Sequence, residues 1–161
     1  MNYVSTRDNS KKVSSAYAIA HGISEEGGLF VPENIPVLNG NDFENLVTLD
    51  YKGKAEYILK KYLTDFSDEE ISVCVSGAYT GSFDDEKPAA IAQLGSNINI
   101  LELWHGPTCA FKDLALQLLP YLLTTSTKKI SDGKKTVILV ATSGDTGKAA
   151  LEGFKDVENT E

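Results

Sequence analysis

The chain has 161 residues, of which 42% are apolar, enough for one hydrophobic core of moderate size. Fifteen basic and twenty-three acidic side chains give a net charge of −8, which argues against a nucleic-acid or anionic-membrane partner. No apolar run reaches the ~20 residues that span a bilayer, and the cysteines, Cys74 and Cys109, lack metal-binding spacing. Because no signal-peptide pattern opens the chain, composition predicts a globular protein of the reducing cytoplasm.

The N-terminal part of the chain has a helical pattern interrupted by loops. Apolar side chains recur at helical spacing in residues 13–20, before Gly22, and again in residues 51–63. The motif SDEE has capping-box spacing, from Ser67 to Glu70, and favours a helix over a strand for the ISVCVS segment that follows. GSFDDEKP, residues 81–88, is the best boundary candidate. We therefore predict a mostly helical region over residues 1–95.

From residue 96 the pattern alternates between strand and helix. NINILELW and TVILVATS predict strands, whereas TCAFKDLALQLLPYLL and DTGKAALEGFK predict helices. This β-α-β-α order is typical of a parallel sheet, and the apolar run 137–140 suits a strand covered on both faces. Because a sheet usually has about four to six strands, we expect residues 96–161 to be the incomplete start of a larger α/β domain. The tail DVENTE predicts no further element.

Lys112 borders the apolar stripe of the first of these helices, and leucines rather than charged side chains continue its face. With Thr108 as the helix cap, the lysine would lie one turn inside the helix. There the helix dipole and partial burial both disfavour the protonated amine, which suits nucleophilic Schiff-base chemistry. The alternative is a surface lysine whose ammonium reaches solvent beside Asp113. Pro120 should kink or break the helix further on.

A second candidate site is ATSGDTGKAA, where the apolar strand enters a glycine-bracketed turn before a helix. Such a turn presents backbone N–H groups to an anion at the helix N-terminus. The candidate ligand groups belong to Ser143, Gly144, Asp145, Thr146 and Gly147. A Walker A loop is rejected, because it needs four residues between its glycines and a Ser or Thr after the lysine. A plain helix start capped by Asp145 or Thr146 stays open as the alternative.

Together, HGPTCAFKDLA and ATSGDTGKAA, about thirty residues apart, resemble the motifs of threonine synthase, a pyridoxal-phosphate enzyme of the tryptophan-synthase-like fold type II. YVSTRD is similar to the family's YxSTRG opening and EEGGLFVPE to its DGGLFxP loop, so the resemblance spans essentially the whole chain. Asp8 stands where the family usually has glycine, a conformationally permissive residue, which leaves the role of Arg7 open. The family's phosphate-binding loop and the residue that faces the pyridine nitrogen come later than the matched stretch.

The resemblance implies pyridoxal 5′-phosphate as the cofactor and a carbon–oxygen lyase reaction, in which O-phospho-L-homoserine and water give L-threonine and phosphate. It makes Lys112 the catalytic lysine that bonds covalently to the cofactor and moves protons at the substrate's carbon atoms. It brings the Asp145 carboxylate to the cofactor's ring hydroxyl. The substrate carboxylate would be bound by Ser143, Gly144, Thr146 and Gly147. The oligomeric state stays open.

Two other hypotheses remain beside the synthase. One keeps the fold and changes the chemistry to that of a threonine-synthase-like phospho-lyase. The other is a folded N-terminal module that has no catalytic activity of its own. In line with the incomplete sheet, we expect the 161-residue chain alone to be inactive and to bind pyridoxal phosphate weakly.

Overall fold

The computed structural model describes residues 1–84, 87–130, 133 and 135–161, and it confirms the predicted mixed α/β class. The helices are α1 (Ser15–His21), α2 (Gly40–Thr48), α3 (Tyr51–Tyr62), α4 (Asp68–Tyr79), α5 (Asp113–Leu116), α6 (Leu119–Lys129) and α7 (Asp145–Gly153). The strands are β1 (Tyr3–Ser5), β2 (Phe30–Pro32), β3 (Ala90–Leu94) and β4 (Ile98–Glu102). They form two antiparallel pairs, β1 with β2 and β3 with β4. Within the described residues, no helix is long and apolar enough to cross a membrane.

Helices α1, α3 and α4 lie where the sequence predicts helices, whereas α2 was not predicted. The Ser14 hydroxyl accepts the Tyr17 N–H at the start of α1, which ends at Gly22 in the left-handed conformation, with φ of +67°. At the start of α4, the Ser67 hydroxyl accepts the Glu70 N–H while the Glu70 carboxylate accepts the Ser67 N–H. The capping box is therefore confirmed, and ISVCVS is helical.

One hydrophobic core lies among α1, α3, α4 and α6. Its buried members are Ala16, Leu63, Phe66, Ile71, Cys74, Val75, Ala78, Tyr79 and Leu122. Helices α4 and α6 pack closely at Gly77, where a Cβ atom would lie only 2.4 Å from the Tyr121 ring. Helix α6 therefore shares the core of the preceding helices. The division at residue 95 stays a prediction, and residues 85 and 86 of the predicted boundary lie outside the described residues.

The parallel sheet predicted from residue 96 is wrong for the described residues. Strand β4, inside the predicted NINILELW strand, pairs antiparallel with β3 in a register that sets Ile100 opposite Ala92. Gly95, with φ of +71°, begins the three-residue connection between them. A partner this near in sequence costs little loop-closure entropy, so β4 pairs with its neighbour along the chain.

The predicted strand TVILVATS forms only a single parallel bridge, between Thr136 and Thr160, among the described residues. The Thr136 N–H donates to the Asn159 carbonyl oxygen at 3.0 Å, so the tail supplies a backbone partner where no element was predicted. Leu139 is 91% exposed. The covering of this strand on both faces stays a prediction for a larger α/β domain, because the described residues place no neighbouring sheet against the run 137–140.

Candidate active site

Lys112 lies immediately before α5, and not one turn inside a helix as predicted. Its backbone is helical, with φ of −60° and ψ of −27°, but α5 begins at Asp113. Thr108 does not cap the helix, because its hydroxyl donates to the Asp113 carboxylate at 2.7 Å and accepts no helical N–H. Residues 108–112 therefore form a turn that leads into α5, and Lys112 is only partly buried there.

The buried anchor of this turn is Asp113, whose side chain is 0% exposed. Its two carboxylate oxygens accept the Thr108 N–H at 2.8 Å and the Thr108 hydroxyl at 2.7 Å. Gly106 leaves the space for this carboxylate, because a Cβ atom there would lie 2.5 Å from Asp113. A buried carboxylate is costly unless it is hydrogen-bonded, so these contacts stabilise the turn that carries Lys112. The sequence analysis missed this anchor, although an acidic residue in an apolar helical stripe was a signal.

The predicted long helix breaks between α5 and α6, as the position of Pro120 indicates. Proline lacks an N–H group, and its ring clashes with the carbonyl four residues earlier, which here belongs to Leu116, the last residue of α5. Helix α7 approaches α5 at this carbonyl, since a Cβ atom on Gly153 would lie 2.1 Å from the Leu116 oxygen. The break thus lets α7 pack closely beside the helix that follows Lys112.

Tyr79, the last residue of α4, ties α5 to the helical core. Its hydroxyl donates to the Leu114 carbonyl oxygen at 2.7 Å. Burial raises the pKa of Tyr79 well above its usual range, with Tyr51 adding to the shift. The hydroxyl therefore stays protonated and remains a donor, which holds the Lys112 region against the core.

The second motif forms the turn before α7. The Thr142 hydroxyl accepts the Gly147 N–H at 2.9 Å and the Gly144 N–H at 3.4 Å, which folds the turn onto itself. Among the described residues, no protein acceptor faces the N–H groups of Asp145 and Thr146, the first two residues of α7. These groups, with the dipole of a nine-residue helix behind them, suit an anion. The sequence analysis missed Thr142, whose signal was a hydroxyl two residues before a glycine turn.

One open cleft brings the two predicted motifs together. Its lining residues are Lys112, Thr142, Ser143, Gly144, Asp145 and Thr146. The cleft encloses about 620 Å³, part of it open to solvent. The Lys112 ammonium lies 4.7 Å from the centroid of the Phe111 ring, and no carboxylate of the described residues pairs with it. An amine, several hydroxyls and a helix N-terminus therefore face a common space.

Gly147 is the one predicted site residue that does not line this cleft. It is buried within α7, and a Cβ atom there would lie 2.4 Å from the Thr142 hydroxyl. The close approach explains why the turn has a glycine at this position. Its assignment to the substrate carboxylate stays a prediction.

Arg7 lies beside the loop that contains the EEGG motif. Its guanidinium donates to the Glu26 carbonyl oxygen at 2.9 Å, and a Cβ atom on Gly27, whose φ is +81°, would lie 2.8 Å from the guanidinium. Asp8 accepts the N–H and the hydroxyl of Ser10, contacts that lower its pKa. The two N-terminal motifs thus contact each other, and the chemical role of Arg7 stays open.

Comparisons with known proteins agree with this arrangement. The family model described as "Threonine synthase N terminus" matches residues 2–79. Threonine synthase of Pseudomonas aeruginosa is 37% identical over 162 residues, which cover 100% of this chain and 34% of that protein. Threonine synthase-like 1 of Mus musculus is also 37% identical, over 165 residues covering 99% of this chain and 22% of that protein. The crystal structure of PLP-bound threonine synthase from Brucella melitensis superposes with a TM-score of 0.91 at 33% identity, over 100% of this chain and 34% of that chain.

The resemblance to the threonine synthases is confirmed. It covers the whole of this chain, which spans about a third of the length of the threonine synthases it matches. The superposition covers the whole of this chain. For this chain, the activity, substrates and partners of those longer proteins are therefore proposed below.

Proposed function

We propose that this chain supplies the catalytic lysine and part of the substrate site of a pyridoxal-phosphate-dependent threonine synthase. The observation that carries the proposal is the shared cleft, in which Lys112 and the turn from Thr142 to Thr146 face one another. These residues are about thirty apart in sequence. The likeness to a PLP-bound threonine synthase supports the same assignment.

The donor set of the cleft fits pyridoxal phosphate. Lys112 offers a primary amine without a carboxylate partner among the described residues, the group that would hold the cofactor covalently. Asp145, at the opposite wall, would face the ring hydroxyl. When bound, the cofactor supplies an electron sink for negative charge that develops on the substrate's carbon atoms.

In this proposal Lys112 also moves protons. Its amine would accept a proton from the substrate's Cα and return protons to the carbon skeleton. Lys112 is partly buried and lines the cleft, and its ammonium lies over the half-exposed Phe111 ring. The role needs a side chain that is both nucleophilic and mobile, which a lysine provides.

The turn before α7 would bind the substrate carboxylate. Hydroxyls of Ser143 and Thr146 line the cleft beside free helix-terminal N–H groups, a set that favours a small anion. The proposed substrate is O-phospho-L-homoserine. Its Cγ–O bond to phosphate would break with loss of a proton from Cβ. Water would then supply a hydroxyl group at Cβ and a proton at Cγ, which yields L-threonine and inorganic phosphate.

We also propose a reducing, cytoplasmic setting for the protein. Both cysteines are free thiols, Cys74 buried in the core and Cys109 exposed near the cleft motif. Free thiols are typical of reducing compartments.

Covalent trapping tests the cofactor assignment. The full-length protein is incubated with pyridoxal 5′-phosphate, reduced with borohydride, digested and mapped by mass spectrometry. We expect the reduced pyridoxyl group on Lys112, and none in Lys112→Ala or in Lys112→Arg, whose guanidinium is not a nucleophile. A label on Lys148 or Lys155, or on no lysine, would overturn the assignment.

The products test the reaction. The loaded protein with O-phospho-L-homoserine should release L-threonine and phosphate in equal amounts. Phosphate without threonine would contradict the synthase and indicate the phospho-lyase chemistry instead.

A further inference from the structure

Lys148, on α7, connects the two walls of the cleft. Its ammonium donates to the carbonyl oxygen of Thr108 at 3.2 Å, across forty residues of sequence. Among the described residues, this is the side-chain hydrogen bond that joins α7 to the turn before Lys112. Lys148 itself does not line the cleft, so it acts on the site from behind.

The residue that Lys148 contacts is held rigidly. Thr108 is 6% exposed, and its N–H and hydroxyl both donate to the buried Asp113 carboxylate. With Lys148 on its carbonyl, Thr108 is therefore fixed at three atoms. Because Asp113 directly follows Lys112, this network runs from α7 to the residue next to the proposed catalytic lysine.

Lys148 is an exposed residue at a position that helix electrostatics weakly disfavour for a cation. It is the fourth residue of α7, in the first turn, where the positive end of the helix dipole disfavours an ammonium group. The Thr108 carbonyl oxygen, as an acceptor, compensates this cost.

On these observations, and building on the function proposed above, we propose that Lys148 is a positioning residue, which fixes the turn from Thr142 to Thr146 relative to Lys112. The bond sets the separation between the amine and the groups that would bind the substrate carboxylate. Without it, the turn and the lysine remain present, but the two walls move more independently. Loss of the bond should therefore lower the affinity for the ligand and leave the reactivity of the Lys112 amine unchanged.

Hydrogen exchange in the cofactor-free, full-length protein tests the contact directly. In Lys148→Met, which keeps the aliphatic stem, the Thr108 and Gly147 amides should exchange about three- to tenfold faster, because the walls open locally. Lys148→Arg, which keeps a charged donor, should restore protection. Lys155→Met removes the same charge beyond the end of α7 and should leave both amides unchanged. Equal exchange in Lys148→Met and the unmodified protein would overturn the proposal.

Covalent trapping then distinguishes an effect of the hydrogen bond from Lys148 to Thr108 from an effect of the lysine's positive charge alone. Lys148→Met should need about three- to tenfold more pyridoxal phosphate for half-maximal borohydride labelling of Lys112, and Lys155→Met should not. Lys148→Arg, which keeps a charged donor for the Thr108 carbonyl oxygen, should restore labelling. Equal labelling of Lys148→Met and Lys155→Met would contradict the proposal.

The two proposals fail in different ways. If the unmodified protein is never labelled at Lys112, the proposed cofactor role is wrong, while hydrogen exchange still decides whether Lys148 holds the walls together. If labelling of the unmodified protein is normal and Lys148→Met matches it in labelling and exchange, the positioning role alone is wrong.

Discussion

The helical core and the cleft region bury their apolar side chains to different degrees. In α4, Ile71 is 1% exposed and Val75 is 0% exposed, whereas Ile91 of β3 is 70% exposed and Ile98 of β4 is 60% exposed. The predicted chemical groups other than Gly147 line the open cleft, while the core contains none of them. Stability and chemistry are therefore carried by different parts of the molecule, joined mainly by α6 and by the Tyr79 hydrogen bond.

The largest expected effect is a loss of activity with little change in stability. Lys112→Ala should lower turnover of O-phospho-L-homoserine by more than about a thousandfold, because the covalent and proton-transferring amine is lost. The free energy of unfolding should change by less than about 0.5 kcal/mol, since the side chain is only partly buried. Steady-state kinetics and urea unfolding measure the two quantities. A large loss of stability would show that the two regions are not separate.

The next effect is the reverse, a loss of stability caused in the core. Ile71→Ala should lower the free energy of unfolding by about 2–5 kcal/mol, because it leaves a cavity in a packed interior. The matched control is Val73→Ala on the outer face of the same helix, where the side chain is 66% exposed. That control should change unfolding by less than about 0.5 kcal/mol. Similar urea midpoints for both variants would contradict the position of the core.

A smaller effect distinguishes substrate binding on one wall of the cleft from cofactor binding on the other. Thr146→Val and Ser143→Ala should each weaken substrate binding by about 1–3 kcal/mol, because each removes a hydrogen bond to a charged carboxylate. Labelling of Lys112 by pyridoxal phosphate should change little, since the covalent bond lies on the other wall. Thr146→Ser keeps the hydroxyl and is the matched control. Equal losses of cofactor and substrate binding would contradict this division of roles.

The smallest effect concerns acid stability of the core region. The Asn39 N–H, the Lys61 ammonium and the Tyr57 hydroxyl hold the pKa of Asp42 well below its usual range. The carboxylate therefore stabilises the folded state fully above its unfolded pKa of ~3.9, and this contribution is lost as pH falls through the lower folded value. Between neutral pH and acid, the midpoint temperature of thermal unfolding should fall less steeply for Asp42→Asn than for the unmodified protein. Glu44→Gln, at an exposed site on the same helix, is the control, and identical pH profiles for Asp42→Asn and the unmodified protein would contradict the assignment.

Local signals in the sequence were sufficient for α1, α3 and α4, whereas α2 was missed although Asn39 caps it. Ser67 and Glu70 satisfy each other's backbone N–H groups whatever the rest of the chain does, and Gly22 ends α1 because it can adopt positive φ. Pro120 likewise ends a helix through its own ring and missing N–H. These effects act within one or two helical turns, so a single sequence contains all that is needed to predict them.

The strands show that local signals do not predict strand pairing or burial. NINILELW predicts a strand but not its partner, because pairing depends on which segment is near in space. TVILVATS has the composition of a buried strand and is nevertheless largely exposed, with Leu139 open to solvent. Apolar composition indicates what a segment can bury, while the neighbours available to it decide what it does bury.

The amino-acid sequence by itself determined the end of α1 and the start of α4, the two motifs and the resemblance that gives Lys112, Ser143, Asp145 and Thr146 their predicted roles. Only the tertiary structure decided that these residues line one cleft, that Asp113 and Thr108 anchor the turn before the lysine, and that Lys148 reaches across to it. The physical reason is distance along the chain. Caps and breaks form between residues a few positions apart, whereas the bond from Lys148 to Thr108 exists only after α5 and α7 have packed together.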